Sequence, residues 1–424
     1  MNSYEKVLDQ MNHEMLAADD DRVALLKEVL AAMDHPDKKF KVIHLAGTNG
    51  KGSTGAMIAQ MLLNQGYRVG HFTSPALVDQ REQIAINREM ISQNDFVQTY
   101  TWICTQLPPQ ISAKDLTAFE WFTLIMLQFF ANQKVDWAII EAGLGGKDDA
   151  TNAIMPPLLT IFTHIDIDHT KILGNTIKMI AYNKSQIIKP ETTVFIAPNQ
   201  RSEVMKVLNK VAIENGAQEV WSSAKVEAEV VARQLTGTSL IITSRSLTCE
   251  PISLKLLGDF QIDNFKTVVA VYDWLAEHHL ISNKQVLIDA ARQIEIPGRM
   301  QVLGTTPPII LDGAHNPDAV DRLLQSLDAL FAEVHFIFVL GFLKDKNYLQ
   351  MAKKFSQVAQ QIFVTTPDNS DRALASRQLH SILPESHVVA NAQQGVKKAL
   401  QVADAKTVIV VTGSFYVVKE MFRQ

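Results

Sequence analysis

Short apolar segments alternate with longer helical segments along most of the chain that follows Pro36. The first cycle consists of the strand-like run KVIHLA (41–46), a helical pattern over 53–64 and the strand-like run YRVGHFTS (67–74). Apolar runs of this length, separated by helices, are typical of parallel strands whose crossover connections cover both faces of a sheet. The alternation therefore predicts an α/β fold with a mainly parallel sheet.

The same pattern divides the chain into two parts. Between residues 225 and 257, three β-rich runs separated by turn residues predict a small antiparallel patch attached to the first sheet. A second alternating series begins after Pro297-Gly298, and 424 residues exceed the usual length of one domain. We expect a first domain at 1–296 and a second α/β domain at 297–424.

Charge and cysteine content exclude several classes of protein. The chain has 40 basic and 45 acidic residues, a net charge of −5, which gives no basic surface for nucleic acid or an anionic membrane. No run matches the ~20 apolar residues of a membrane helix, and MNSYEKVLDQMNHE lacks the apolar core of a secretory signal. Two cysteines, Cys104 and Cys249, fit a reducing compartment, so we expect a cytoplasmic protein.

The segment AGTNGKGST (46–54) lies between a predicted strand and a predicted helix. Glycines in such a loop let main-chain N–H groups surround phosphate oxygens, and a lysine among them supplies a positive charge. Ser53 or Thr54 could reach a Mg²⁺ ion, and a glycine-rich turn without a ligand is the alternative. The residues expected to bind a nucleotide here are Gly47, Thr48, Asn49, Gly50, Lys51, Gly52 and Ser53.

Two further strand ends carry polar groups. Glu141 ends VDWAIIEAG, at the edge where open α/β sheets collect ligands, and its carboxylate suits Mg²⁺; a capping acid in a tight turn is the alternative. Asp166, Asp168 and His169 follow the next buried run, where a metal-binding role and a structural role both remain open.

The second domain offers its own charged cluster. Arg299 lies in IPGRMQ, and Asp312, His315 and Asn316 follow the buried run PIILDGA. A cation and an acid presented by a second domain would complete a site on domain closure. An Asp-Gly turn and a helix N-cap before Pro317 explain the same residues, and both interpretations can hold at once.

Seven motifs occur in order across residues 47–418: GTNGKGS, FTSP, EAGLGGKDDATN, DHTKILG, PGRMQ, DGAHNP and TGSFYVV. This series resembles the folylpolyglutamate synthase/dihydrofolate synthase family of Mur-type ATP-dependent amide ligases. The resemblance implies an N-terminal P-loop domain, a C-terminal Rossmann-like domain and an active site between them. It also implies a reaction in which ATP converts a folate carboxylate into an acyl phosphate, which the amine of L-glutamate then attacks.

The resemblance also assigns roles to individual residues. Lys51 would contact the phosphates, Asn264 and Arg299 would contact ATP, and Asp312 and His315 would act from the second domain. The implied Mg²⁺ ligands are Ser74, Glu141 and His169, with Ser53 beside them. Lys184 matches a family lysine that is carbamylated near the metal.

The chain departs from the family pattern at a few positions. Ala76 replaces a frequent histidine after FTSP, and Lys147 replaces the usual arginine. Around Lys184, the usual Glu-Lys-Ala-Gly is Asn183-Lys184-Ser185-Gln186, and Phe265 follows Asn264 where a small residue is usual.

These observations lead to one main functional hypothesis and two alternatives. The main hypothesis is a monomeric, ATP- and Mg²⁺-dependent ligase that adds L-glutamate to a reduced folate. The alternatives are a dihydrofolate synthase that uses dihydropteroate, and a nucleotide-binding paralogue without ligase activity.

Overall fold

The computed structural model describes residues 3–11, 21–369 and 371–422. The strands in chain order are β1 (Lys41–Ala46), β2 (Val69–Phe72), β3 (Ile84–Ile86), β4 (Glu89–Met90), β5 (Trp137–Glu141), β6 (Leu159–Phe162), β7 (Thr193–Ile196), β8 (Glu219–Ser222), β9 (Glu227–Gln234), β10 (Gly237–Thr243), β11 (Glu250–Leu254), β12 (Gln301–Thr305), β13 (Pro308–Leu311), β14 (His335–Leu340), β15 (Ala359–Val364), β16 (His387–Val388) and β17 (Thr407–Thr412).

The strands are connected mainly by helices. In chain order these are α1 (Ser3–Gln10), α2 (Arg22–Ala32), α3 (Lys51–Asn64), α4 (Gln93–Gln106), α5 (Ala118–Asn132), α6 (Thr170–Leu173), α7 (Ile177–Ser185), α8 (Ser202–Glu214), α9 (Asp259–Glu277), α10 (Gln285–Gln293), α11 (Pro317–Leu330), α12 (Tyr348–Val358), α13 (Ser376–Ile382), α14 (Ala392–Val402) and α15 (Phe415–Glu420). No helix in the described ranges is both long and apolar enough to cross a membrane.

The largest sheet has eight strands in the order β4-β3-β2-β5-β1-β6-β7-β8. The six strands from β2 to β8 in this order are parallel, and β3 and β4 extend one edge as antiparallel strands. Leu45 of β1 pairs with Glu141 of β5, and Ala46 pairs with Phe162 of β6. The carboxyl ends of β1, β5 and β6 are therefore level, so the loops that follow them leave one edge of the sheet.

A second sheet has six strands in the order β12-β13-β17-β14-β15-β16. Only β12 is antiparallel to its neighbour among these strands as described, and the other pairings are parallel. The central strand β17, TVIVVT, is buried at all six positions, as expected for a parallel strand covered on both faces.

The chain forms two compact units. The first contains the described residues up to Glu227 together with Thr243–Thr248 and Asp263–Ala290. The second contains Ala228–Ile242, Cys249–Ile262 and the described residues from Ala291 onward.

The aromatic segment FEWFTLIMLQFF forms most of α5 and lies in the core of the first unit. Every residue from Glu120 to Ala131 is buried. Thr117 and Glu120 form a capping box that fixes the start of this helix. Glu120 also accepts two hydrogen bonds from the guanidinium of Arg22, at 2.9 and 2.6 Å, so the one acid of this helix is buried with a partner.

The predicted fold class is confirmed: both large sheets are mainly parallel and helix-connected. One prediction was wrong, because the antiparallel patch is not attached to the first sheet. Strands β9, β10 and β11 form a separate three-stranded sheet, and most of it belongs to the second unit. The predicted domain boundary near residue 297 stays a prediction.

Candidate functional site

The phosphate loop occupies the predicted place between β1 and α3. Gly50 is the N-cap of α3 and has φ of 92°, a left-handed conformation that favours glycine. A Cβ atom on Gly47 would lie 1.9 Å from the Oγ1 atom of Thr163, so no side chain fits there. These two glycines allow the main chain to turn tightly into the helix, whose first N–H groups have no acceptor within the helix.

The loop is tied to the segment that follows β6. The N–H groups of Thr48 and Asn49 donate to the carbonyl oxygen of His164, at 2.8 and 3.1 Å. The Thr48 hydroxyl donates to the carbonyl oxygen of Asp166 at 2.9 Å and accepts from the N–H of Asp166 at 3.0 Å. The main-chain donors of Thr48 and Asn49 therefore hold the loop in shape.

Two lysines converge on one carbonyl oxygen of the loop. The Nζ atom of Lys51 donates to the carbonyl oxygen of Gly47 at 3.1 Å, and the Nζ atom of Lys184 donates to the same oxygen at 2.9 Å. Lys51 also lies 3.6 Å from the Oε1 atom of Glu141. Lys184 is 4% exposed, so its charge is held inside the protein close to the loop. Anionic phosphates would be attracted to this concentration of positive charge.

Asn264 of α9 lies directly against the phosphate loop. A Cβ atom on Gly50 would be 2.3 Å from the Asn264 Oδ1 atom. Asn264 is 6% exposed, so its carboxamide is held in place by the surrounding protein. Asn264 thus contacts the loop although it lies 214 positions after Gly50 in the sequence (264 − 50).

Glu141 ends β5 and is 6% exposed. The loop after it is anchored by Asn183 of α7, whose Oδ1 atom accepts the N–H of Gly146 at 3.0 Å. Gly145 has φ of 74°, and a Cβ atom there would lie 2.4 Å from the same oxygen. Asn183 stands where the family usually has glutamate, and its carboxamide fits closely against this glycine turn.

The other two implied metal ligands follow neighbouring strands. Ser74 comes two residues after β2, is half-buried and precedes a cis proline, Pro75. His169 follows β6 in a left-handed conformation, and its N–H donates to the Oδ1 atom of Asp168 at 2.8 Å. Its Nε2 atom lies 3.9 Å from the Oδ2 atom of Asp168.

The donor set at this edge of the sheet fits a hard divalent ion. A buried carboxylate (Glu141) and two hydroxyls (Ser53 and Ser74) are oxygen donors of the kind that Mg²⁺ prefers. The imidazole of His169 is a softer donor than these oxygens. Ser53 and Thr54 are both buried, so burial does not distinguish which of the two hydroxyls would bind the ion.

In the second unit, Arg299 and His315 lie beside Phe415, and the charge of Arg299 acts on Asp312. The guanidinium carbon of Arg299 is 4.4 Å from the centre of the Phe415 ring, and the ring of His315 is 6.0 Å from it. Gly313 packs so closely on the same ring that a Cβ atom there would be 2.5 Å from Phe415. The structure thus brings together the three residues predicted in this unit.

Asp312 is buried, and two main-chain N–H groups bind its carboxylate. Its carboxylate accepts the N–H of Met300 at 2.9 Å and that of Ala314 at 2.8 Å. Burial raises the pKa of Asp312 to about 6, although the Arg299 charge and these two hydrogen bonds oppose the rise. Asn316 caps α11 by accepting the N–H of Ala319 at 2.9 Å, so the capping role is confirmed.

Sequence reasoning missed two groups. Phe415 lies inside the motif TGSFYVV, but nothing in its spacing indicates that Arg299, Gly313 and His315 pack on it. His71 of β2 lies against Gly55 of α3, and burial lowers the pKa of its imidazole to about 4. A polar residue in an otherwise apolar strand was the available signal for His71.

The second unit also contains a cavity of about 620 Å³ near the ends of β15 and β16. Thr366, Asn369, Asn391 and Glu420 contribute to its lining. None of the predicted site residues lines this cavity.

Comparison with known families matches both parts of the chain. Residues 45–272 match the Mur ligase middle domain, and residues 298–415 match the Mur ligase glutamate ligase domain. A dihydrofolate synthase/folylpolyglutamate synthase of Bacillus subtilis is 32% identical over 408 residues, with 93% of each chain covered. A folylpolyglutamate synthase of Lacticaseibacillus casei is 30% identical, with 92% of this chain and 90% of the relative covered.

Solved structures give the same result. FolC of E. coli in complex with DHPP and ADP has a TM-score of 0.86 at 26% identity, covering 99% of this chain and 96% of that one. The bifunctional folylpolyglutamate synthase/dihydrofolate synthase of Yersinia pestis, complexed with AMPPNP and a Mn ion, also has a TM-score of 0.86 at 26% identity, covering 99% and 97%. The resemblance found in the ordered motifs is confirmed, and the chain belongs to the folylpolyglutamate synthase/dihydrofolate synthase family of Mur-type ligases.

Proposed function

We propose that this chain joins L-glutamate to the γ-carboxyl group of a reduced folate with the consumption of ATP. As a member of this family, the chain is an ATP-dependent amide ligase. The observation that carries the assignment is the arrangement of Lys51, Lys184 and Glu141. Two cations bind the Gly47 carbonyl, and a buried carboxylate lies 3.6 Å from one of them, at adjacent strand ends.

The chemistry requires two anions to approach each other. A carboxylate oxygen of the acceptor attacks the γ-phosphorus of ATP, ADP departs, and an acyl phosphate forms. The amine of glutamate, having lost a proton, then attacks the acyl carbon, and inorganic phosphate leaves. Both steps are limited by charge repulsion and by geometry, so positioned cations are the main catalytic requirement.

The residues of the first unit meet that requirement. Lys51 and the first-turn N–H groups of α3 would hold the phosphates, and Asn264 would orient the nucleotide from α9. Glu141, Ser74, Ser53 and His169 would hold a divalent ion. When bound, such an ion supplies neutralisation of the phosphate charge.

Residues of the second unit would bind and orient the reactants. Arg299 offers a cation whose face is held by Phe415, and it would contact ATP together with Asp312. His315, whose Nδ1 atom lies 2.9 Å from the Gly313 carbonyl oxygen, would act on the reacting groups through its other nitrogen.

Carbamylation of Lys184 is a further part of the proposal, as a second state of this side chain: once carbamylated, Lys184 carries a negative charge and no longer donates from an ammonium to the Gly47 carbonyl. A lysine that is 4% exposed gains from conversion to an anion if a divalent ion lies nearby, because the opposite charges then attract. Isotopically labelled bicarbonate would give a carbamate signal in carbon NMR, which the Lys184→Met variant would lack. A spectrum that is the same for both proteins would remove this element.

Dihydrofolate synthase activity is a second candidate function. The relative from Bacillus subtilis carries both activities in its name and matches over 93% of this chain.

The proposal also includes a domain boundary near residue 297, a monomeric state and a cytoplasmic location. The low cysteine content supports the location, and light scattering after gel filtration tests the monomer.

Product analysis tests the function directly. Purified protein would be incubated with ATP, Mg²⁺ and glutamate, and with either tetrahydrofolate or dihydropteroate. We expect ADP and a glutamylated product from tetrahydrofolate; a product from dihydropteroate adds the second activity. If neither acceptor gains glutamate and no ADP forms, the chain is a nucleotide-binding paralogue instead.

A pair of variants makes this test specific. Lys51→Ala should abolish turnover, because the phosphates lose their nearest cation. Lys210→Ala is the matched control, since the Lys210 side chain is 73% exposed on α8. Equal losses in both variants would show that the assay does not report on the phosphate loop.

A further inference from the structure

A chain of three buried polar groups connects β1 with the loop that follows β5. His44 of β1 is fully buried, and its Nε2 atom lies 2.8 Å from the Oγ1 atom of Thr151. The Thr151 hydroxyl donates to the Oδ1 atom of Asp149 at 2.5 Å. The carboxylate of Asp149 also accepts the N–H of Thr151 at 3.0 Å and the N–H of Leu144 at 2.7 Å.

The direction of these hydrogen bonds is fixed by proton counting. A hydroxyl has one proton, and Thr151 donates it to Asp149, so Thr151 accepts from His44. The proton of the imidazole is therefore on Nε2. Burial lowers the pKa of His44 to about 3, so the ring is neutral and has one N–H. Its Nδ1 atom is buried without a hydrogen-bond partner among the described residues, which is tolerable for a lone pair and costly for an N–H group.

The chain reaches both sides of the predicted site. His44 lies three residues before Gly47, in the strand that leads into the phosphate loop. Asp149 holds the N–H of Leu144, three residues after Glu141. His44 also pairs in register with Ile140, the residue before Glu141. The side-chain hydrogen bonds of His44, Thr151 and Asp149 therefore add to the main-chain pairing of β1 with β5, close to where the loops that follow these strands begin.

We infer that His44, Thr151 and Asp149 are positioning residues that set the placement of Glu141 relative to the phosphate loop. The inference rests on the proposed function, because it assigns Glu141 to the divalent ion. None of the three residues needs to touch a substrate. Each acts through the loop that it holds, as residues behind metal ligands commonly do.

Thr151→Val tests the network, since valine has the shape of threonine without the hydroxyl. It leaves the N–H of His44 and one lone pair of Asp149 unpaired. We expect the dissociation constant for Mn²⁺, measured by electron paramagnetic resonance with the metal alone, to rise about tenfold. Thr151→Ser keeps the hydroxyl and should restore affinity to within about threefold of the unchanged protein.

A second buried threonine separates positioning from general stability. The hydroxyl of Thr160 in β6 forms a 3.0 Å pair with the hydroxyl of Thr192, the residue before β7. Thr160→Val should lower the melting temperature and leave the Mn²⁺ affinity unchanged. If Thr151→Val does the same, with wild-type Mn²⁺ affinity, the three residues are merely structural and the inference is overturned.

Two further measurements cover the case in which Thr151→Val does not fold. Asp149→Asn should weaken Mn²⁺ binding to a similar degree, and unchanged binding would contradict the inference. Nitrogen NMR of labelled histidine in the unaltered protein should show His44 protonated on Nε2, and protonation on Nδ1 would overturn the assigned network. If the unaltered protein makes no glutamylated product while the Mn²⁺ affinities differ as expected, the proposed function fails and the positioning role stands.

Discussion

The side-chain ammonium of Lys184 donates a hydrogen bond to the main-chain carbonyl of Gly47 at 2.9 Å, across 137 residues of sequence. Lys184 lies near the end of α7, whereas Gly47 opens the phosphate loop. The contact means that the loop is held by a lysine from outside it as well as by Lys51 within it. A helix that carries no residue of the loop therefore contributes to its shape and its charge.

Removing this contact should weaken nucleotide binding. In protein kept free of bicarbonate, where Lys184 is an ammonium, Lys184→Met keeps the length of the side chain and removes that charge, so the loop loses a charged hydrogen bond of about 2 kcal/mol. We expect ADP affinity, measured by titration calorimetry, to fall at least about tenfold. Lys178→Met on the same helix is the control, because the Lys178 side chain is 66% exposed. Equal ADP affinities in the two variants would contradict the role of Lys184.

A methyl group at Gly50 should damage the loop in two separable ways. The positive φ of 92° makes alanine unfavourable by about 1 kcal/mol, and the new Cβ would lie 2.3 Å from Asn264. Gly66→Ala provides the first effect alone, since Gly66 has φ of 97° with no atom within 4 Å of the added Cβ. Gly50→Ala should therefore destabilise the protein more than Gly66→Ala in urea unfolding.

The excess should depend on Asn264. In the double variant Gly50→Ala/Asn264→Ala, the oxygen that meets the new Cβ is absent, so part of the lost stability should return. A double-mutant cycle measures this coupling directly. Additive losses from the two substitutions would show that the backbone conformation alone explains the effect.

Asp312 should make the second unit more stable in mild acid. Its folded-state pKa of about 6 is above the ordinary 3.8, so the folded protein binds a proton that the unfolded chain releases between these values. The stabilisation is complete below 3.8 and is lost as the pH rises through about 6, with a total near 3 kcal/mol. Asp312→Asn should flatten this part of the curve of unfolding free energy against pH. If the unfolding free energy of Asp312→Asn varied with pH as steeply as that of the unaltered protein between about pH 4 and about 6, the result would be inconsistent with the raised pKa of Asp312.

The ion pair of Arg22 and Glu120 should matter more than any surface pair. The Arg22 Nη2 atom is 2.6 Å from the Glu120 Oε2 atom, and the Glu120 side chain is 2% exposed. Arg22→Met would leave a buried carboxylate without its cation, at about 3 kcal/mol of unfolding free energy. Lys210→Met, which breaks an exposed pair with Glu214, should change that free energy by less than about 0.5 kcal/mol. Denaturant unfolding of both variants measures the difference.

Local sequence patterns predicted the elements that fold from local rules. The run KVIHLA and the following GTNGKGS predict a strand, a phosphate loop and a helix, because apolar burial and glycine conformation act over a few residues. Helix α5 also follows local rules, because its threonine cap and its apolar residues lie within a few positions of one another. Motif order along the chain then supplied the family, which the comparisons confirmed.

Features that depend on distant residues were not predictable in this way. The short strands β3, β4, β8 and β16 exist only because a neighbouring strand offers hydrogen bonds. The contact of Asn183 with Gly146 and the placement of Phe415 beside Arg299 depend on tertiary packing. The separate three-stranded sheet was missed for the same reason, since strand propensity does not tell which sheet a strand joins.

The interleaving of the two units along the chain limits how the protein can be divided. Residues 228–242 and 249–262 belong to the second unit, although they precede residue 291 by many positions. A gene fragment that starts at residue 297 would encode a polypeptide lacking the whole small antiparallel sheet, and the complementary fragment would carry those strands without the rest of the second unit. A single break in the chain therefore cannot separate the two units. Split reporters, domain exchange between relatives and separate expression of either unit would require chains that are circularly permuted or rejoined.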